Sequence, residues 1–116
     1  MKVEAFDLSK SIDVRKLKPG TIVVVETNNT VYTFEIIDDN GTVIVDGGKY
    51  FPKPIETHFR GSTFGGSMLK KGCIVYKMYM EIARGIDEHR AITTSRVCEA
   101  KIIDPDWTCE MEWNVE

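Results

Sequence analysis

No apolar run in this chain approaches the roughly 20 residues that a membrane-crossing helix needs, which removes insertion into a bilayer by helices. The start lacks the basic-then-apolar pattern of a secretory signal. The three cysteines, Cys73, Cys98 and Cys109, are odd in number and show no Cys-x-x-Cys spacing. A disulfide framework and a zinc knuckle therefore lack their usual signatures, and a reducing cytoplasm is the expected home of the thiols. In strand-like runs such cysteines are expected to be small buried hydrophobes. There are only two histidines, His58 and His89, with no His-Glu-x-x-His motif and no recognisable nucleophile setting, so the sequence calls for no metal and no cofactor. An excess of positive charge is missing too. With 18 acidic against 15 basic residues, a net charge of -3 argues against a surface that grips nucleic acid throughout.

What is present suffices for one folded domain. The 116 residues are 42% apolar and 28% charged, and a chain of this size buries roughly two-thirds of its unfolded surface without a staple. Neither a repeat nor a linker divides it, so residues 1–116 read as a single barrel-like domain, with an N-terminal extension over 1–20 and an acidic strand over 104–116. The charges are unevenly spread. Lys49, Lys53, Arg60, Lys70 and Lys71 face only Asp46 and Glu56 in the middle of the chain, whereas Glu99, Asp104, Asp106, Glu110, Glu112 and Glu116 face only Lys101 at the end.

Period-two alternation dominates the rest. Asp13 is placed to cap one short helical turn carrying Val14 and Leu17, and Lys18-Pro19-Gly20 stops it. The run from Thr21 to Glu26, the Asn28-Asn29 turn and Val31 to Ile37 predict a hairpin in which Tyr32, Phe34 and Ile36 share one face. Asp39-Asn40-Gly41 turns the chain into Thr42 to Val45, and Asp46-Gly47-Gly48 turns it again. Pro52 and Pro54 make Lys49 to Pro54 irregular or place it on an edge. Ile55, Thr57 and Phe59 then point inward. Cys73 to Ile82 is expected to be the longest strand, with Ile92 to Ile103 as its hairpin partner around Val97, Cys98 and Ala100. Trp107, Cys109, Met111 and Trp113 alternate with Thr108, Glu110 and Glu112, an aromatic side that could serve as a homo-oligomer contact. The expected fold is all-β: a small antiparallel barrel or roll of six to seven strands with at most one short N-terminal helix.

The stretch from Arg60 to Lys71 is the expected working loop. Gly61 to Gly66 has the Gly-x-x-x-x-Gly spacing of a phosphate cradle, but Ser67 stands where that motif needs lysine, and a strand follows where it needs a helix. Accessible backbone at Gly61, Gly65 and Gly66, hydroxyls of Ser62, Thr63 and Ser67, the ring of Phe64 and the charges of Arg60 and Lys70 are nonetheless suited to an anion or a protein partner. The plainer alternative is a bulged connection whose glycines only supply backbone freedom. The leading reading is a non-enzymatic binding or interaction module. Two alternatives stand beside it: a small enzyme with His58 as general base next to the loop, and a nucleic-acid-binding barrel using the outward set Glu56, His58 and Arg60, continued by Lys70 and Lys71, with Phe64 as an aromatic platform.

The landmarks Leu17-Lys18-Pro19-Gly20, Tyr32-Thr33-Phe34-Glu35-Ile36, Gly61-Ser62-Thr63-Phe64-Gly65-Gly66-Ser67-Met68-Leu69, Met78-Tyr79-Met80-Glu81 and Thr93-Thr94-Ser95-Arg96-Val97 resemble an uncharacterised family of small bacterial all-β proteins with a Gly-Ser-Thr-aromatic-Gly-Gly-Ser segment. Phe64 stands where that family's pattern has Trp, and Arg96 where it has Pro. The resemblance spans about residues 13–103, leaves the tail from Pro105 outside, and implies a β domain without implying an activity.

Overall fold

The computed structural model describes residues 11–64, 69–86, 89–103 and 110–112, the last three by backbone alone. The strands are β1 (Ser11–Asp13), β2 (Ile22–Thr27), β3 (Val31–Ile36), β4 (Thr42–Gly47), β5 (Phe51–Thr63), β6 (Leu69–Lys71), β7 (Cys73–Val75), β8 (Tyr79–Ala83), β9 (Ala91–Ile103) and β10 (Glu110–Glu112). Strands β2, β3, β4, β5, β8 and β9 pair in that order, and β9 returns to β2, closing a six-stranded antiparallel barrel. Strand β6 folds back on the end of β5, β10 pairs the end of β9, and β1 with β7 forms a separate two-stranded sheet. No helix among the described residues is long and apolar enough to cross a membrane.

Alternation fills the barrel as its pattern requires. Val23 and Val25 of β2, Tyr32, Phe34 and Ile36 of β3, Val43 and Val45 of β4, Phe51, Thr57 and Phe59 of β5, and Met80 and Ile82 of β8 are all buried. Phe34 and Phe59 meet edge to face with ring centroids 5.6 Å apart, the favoured geometry for two aromatic quadrupoles. Pro52 and Pro54 lie exposed at the start of β5, where the strand pairs β4 on one side and β8 does not begin until Phe59. That is the edge position that their missing N–H groups require. Asp13 caps a single 3-10 turn, Val14–Lys16, accepting a hydrogen bond from the Arg15 backbone.

Two expectations are corrected. Cys73 to Ile82 is two strands, because Lys77 adopts a φ of 70° and reverses the chain between β7 and β8. Alternation continues across this break, so the sequence pattern hides it, yet all of Cys73, Ile74 and Val75 are buried. Cys98 is exposed. Glu26 pairs Glu99 while Thr27 pairs Val97, so Cys98 is the extra residue of a β-bulge and is turned out of the barrel while Val97 and Ala100 both point in. Within the stretch from Arg60 to Lys71, Gly61–Thr63 and Leu69–Lys71 are paired residue by residue as two arms of a hairpin, and a register shift at Arg60 gives the bulge that the plainer reading of the stretch called for. Of the cysteine and tail readings, Cys109, Trp107 and Trp113 lie outside the described residues, and Met111 is placed only as backbone opposite Ile102.

Candidate functional site

The hairpin is anchored by a second bulge. Phe59 pairs Ile82 and Gly61 pairs Glu81, which makes Arg60 the extra residue of β5. Beyond the bulge the consecutive residues Ser62 and Thr63 take opposite faces of β5, and both are buried because the end of the strand is covered on both sides, with β7 against Ser62. Ser62 Oγ donates to the Cys73 carbonyl at 2.7 Å and accepts from the Val75 N–H at 3.2 Å. Val14 N donates to the Gly72 carbonyl, so alternation turns the Cys73 and Val75 backbone away from β1 and toward Ser62. The hydroxyl thus takes the place of a neighbouring strand.

Gly61 is conformational in the strict sense. Its φ is +142°, and a Cβ there would lie 2.3 Å from the Lys70 carbonyl oxygen. Phe64 is no open platform either: it packs against the Cys73, Val75 and Met78 cluster. Arg96 Cζ lies 5.6 Å from the ring centroids of both Phe64 and Tyr79. Gly65, Gly66 and Ser67, the remainder of the expected loop site, lie outside the described residues.

One concave surface lies at the base of the hairpin. A cleft of about 350 Å³ is lined by Arg15, Asp39, Asn40, His58, Phe59, Arg60, Lys71 and Gly72. Four segments build it. The Asp38 carboxylate shapes the β3–β4 turn by accepting from the N–H groups of Asn40 at 2.9 Å and Thr42 at 3.2 Å. Those bonds, the Asn40 N–H first, hold the Asp38 carboxyl below the usual carboxylate range. The turn presents the Asn40 carbonyl to His58 Nε2 at 2.7 Å. A carbonyl only accepts, so Nε2 carries the proton, and in the neutral ring Nδ1 keeps its lone pair.

The two guanidiniums are held in place. Arg15 Nε and Nη2 donate to Oδ1 and Oδ2 of Asp13 at 3.0 and 3.1 Å, a fork-to-fork pair. Partial burial works against the charged form of Asp13, but the bonds and charge of Arg15 outweigh it and hold the carboxyl below its ordinary value. Gly72, with φ +70°, admits this side chain: a Cβ would lie 2.3 Å from Arg15 Nε. Arg60 Nη2 donates to the His89 carbonyl at 2.8 Å, and Nη1 lies 3.4 Å from Glu81 Oε2. Lys71 makes no ion pair among the described residues.

Of the expected site residues, the structure therefore brings together His58 and Arg60. It buries Ser62 and Thr63, and it leaves Lys70 exposed on β6 outside the cleft, with its neighbour Lys71 inside. Arg15, Asp39, Asn40 and Gly72 were not read as site residues. Asp13 as a cap pointed to the Arg15 segment, but nothing local places that arginine over Gly72. Among the described residues no group of three or more His, Cys, Asp or Glu side chains is arranged to hold a metal ion.

Comparison with models of known families, with curated proteins and with solved structures finds no match.

Proposed function

We propose that this protein is a non-enzymatic binding module whose ligand is a small oxyanion of the phosphate class, taken up at the base of the β5–β6 hairpin. The observation that carries the reading is convergence: in a chain of net charge -3, Arg15, Arg60 and Lys71 reach one cleft from three separate segments, with Asp39 the one carboxylate lining it. The guanidiniums are pre-oriented by Asp13 and Glu81, so binding an anion orders little that is not already ordered. Lys71 supplies a mobile point charge, and the proton on His58 Nε2 is committed to Asn40.

Titration of the isotope-labelled full chain with sodium phosphate and with pyrophosphate, at constant ionic strength, tests this. Saturable shifts are expected at the amides of Asn40, His58 and Gly72, and Lys71→Ala is expected to weaken binding about tenfold, the equivalent of about 1.4 kcal/mol for one charge-assisted contact. Shifts that never saturate, or that are the same in Lys71→Ala, would refute the site.

One observation favours a second reading. His58 lies in the concave cleft with Nδ1 as its remaining acceptor, the arrangement a general base requires. Turnover of phosphate or carboxylate esters that is lost in His58→Gln, with phosphate binding retained, would replace the binding module by an enzyme.

A further inference from the structure

A second hollow, of about 430 Å³, lies between the β2–β3 turn, the β4–β5 turn and the first half of β9, and shares no lining residue with the basic cleft. Its walls are made of hydroxyls and rings. Lys49 is its one charged lining residue, and no carboxylate lines it. The hollow is preformed. Thr27 Oγ1 donates to the Thr30 carbonyl at 3.0 Å and accepts from the N–H groups of Asn29 and Thr30 at 3.3 and 3.1 Å, fixing the turn. Asn29 Nδ2 donates to Ser95 Oγ and ties that turn to β9.

Some polar groups there are already used and others are not. Thr94 Oγ1 accepts from the Met80 N–H at 3.1 Å and donates to the Ser95 carbonyl at 2.7 Å, so it belongs to the sheet. Ser95 Oγ accepts from Asn29, which leaves its proton to donate. The hydroxyls of Thr93 and Tyr50 and the side-chain oxygen of Asn29 make no hydrogen bond among the described residues. Tyr50 is 49% exposed. Its ring is steadied by Lys49 Nζ at 5.4 Å and Arg84 Cζ at 5.9 Å from the centroid.

We infer that this hollow is a carbohydrate-binding site in which Thr93, Ser95 and Asn29 bond the sugar hydroxyls and the Tyr50 ring packs on a C–H face. Sugar hydroxyls both donate and accept, which matches a wall of hydroxyls and one amide better than a wall of charges. A half-exposed tyrosine supplies apolar area at little entropic cost, with a hydroxyl at its tip. The volume falls within the roughly 300–1,000 Å³ typical of small-ligand sites. A lone lysine gives poor purchase for a polyphosphate, and the basic cleft is the better place for such an anion.

The experiment is titration of the labelled full chain with maltose, cellobiose, lactose and N,N′-diacetylchitobiose, at low and at high salt. At least one disaccharide is expected to give saturable, salt-insensitive shifts at Asn29, Tyr50 and Thr93. Tyr50→Ala should weaken that binding about tenfold and Thr93→Val several-fold, while Lys71→Ala leaves it unchanged. Both substituted side chains are solvent-accessible, and the spectrum of each variant verifies its fold. Absence of saturation with all four sugars, or unchanged affinity in Tyr50→Ala, would overturn the site. Shifts produced by phosphate alone and erased by salt would also overturn it, since they would show a plain anion contact at Lys49.

Discussion

Ser62→Ala separates a structural hydroxyl from a ligand-binding one. Ser62 is fully buried, and its oxygen serves both the Cys73 carbonyl and the Val75 N–H. Alanine fits the space but leaves two buried backbone groups without that partner. At about 1–3 kcal/mol for each buried group orphaned, and with some relaxation of the three-residue β7, the expected loss is about 2–4 kcal/mol. That is a large share of the roughly 5–15 kcal/mol available to a domain. In urea the midpoint should fall with the slope unchanged, and the melting temperature should drop on the order of 10 °C. Phosphate titration of the folded variant should give the wild-type affinity, because Ser62 faces β7 and does not line the cleft. A variant of wild-type stability with weakened phosphate binding would refute this assignment and return Ser62 to the ligand.

Gly61→Ala should destabilise by about 1–3 kcal/mol or more, through a strained φ and a Cβ against the Lys70 carbonyl, and amide exchange should report the largest loss of protection at Leu69 to Lys71. Asp13 stabilises the fold above the ordinary carboxylate range, and that contribution disappears as pH falls through its lowered native value. Urea midpoints between about pH 5 and pH 3 should therefore fall less steeply in Asp13→Asn than in the wild type, and an equal slope would discount the Asp13–Arg15 pair. In the native protein iodoacetamide should label Cys98 readily and Cys73 only after unfolding, since Cys73 is buried and burial pushes its thiol up. Peptide mapping that finds Cys73 modified first would contradict the placement of β7.

Whatever is set by neighbours in the chain was legible in the sequence. Alternation is local, so the inward faces Tyr32, Phe34, Ile36 and Ile55, Thr57, Phe59 were legible, as were the Asp13 cap and the turn at Asp39-Asn40-Gly41. Their abundance fixes an all-β chain. Pairing between distant strands was not legible, and it decided everything specific about the site. The bulge at Cys98 turns one residue out of register with no mark in the local pattern, whereas the bulge at Arg60 is followed by Gly61, one of the glycines that the bulged-connection reading singled out. The reversal at Lys77 is made by a residue with no special freedom for it. The hairpin that looked like a working loop has one packed arm, Gly61–Thr63, whose serine completes another strand, and one exposed arm, Leu69–Lys71. The cleft exists because three pairings, β4 with β5, β5 with β6 and β1 with β7, carry Arg15, the Asn40 turn, His58 and Lys71 to one place. A single chain pattern records which face each residue takes, but which faces meet depends on the register of every strand between them.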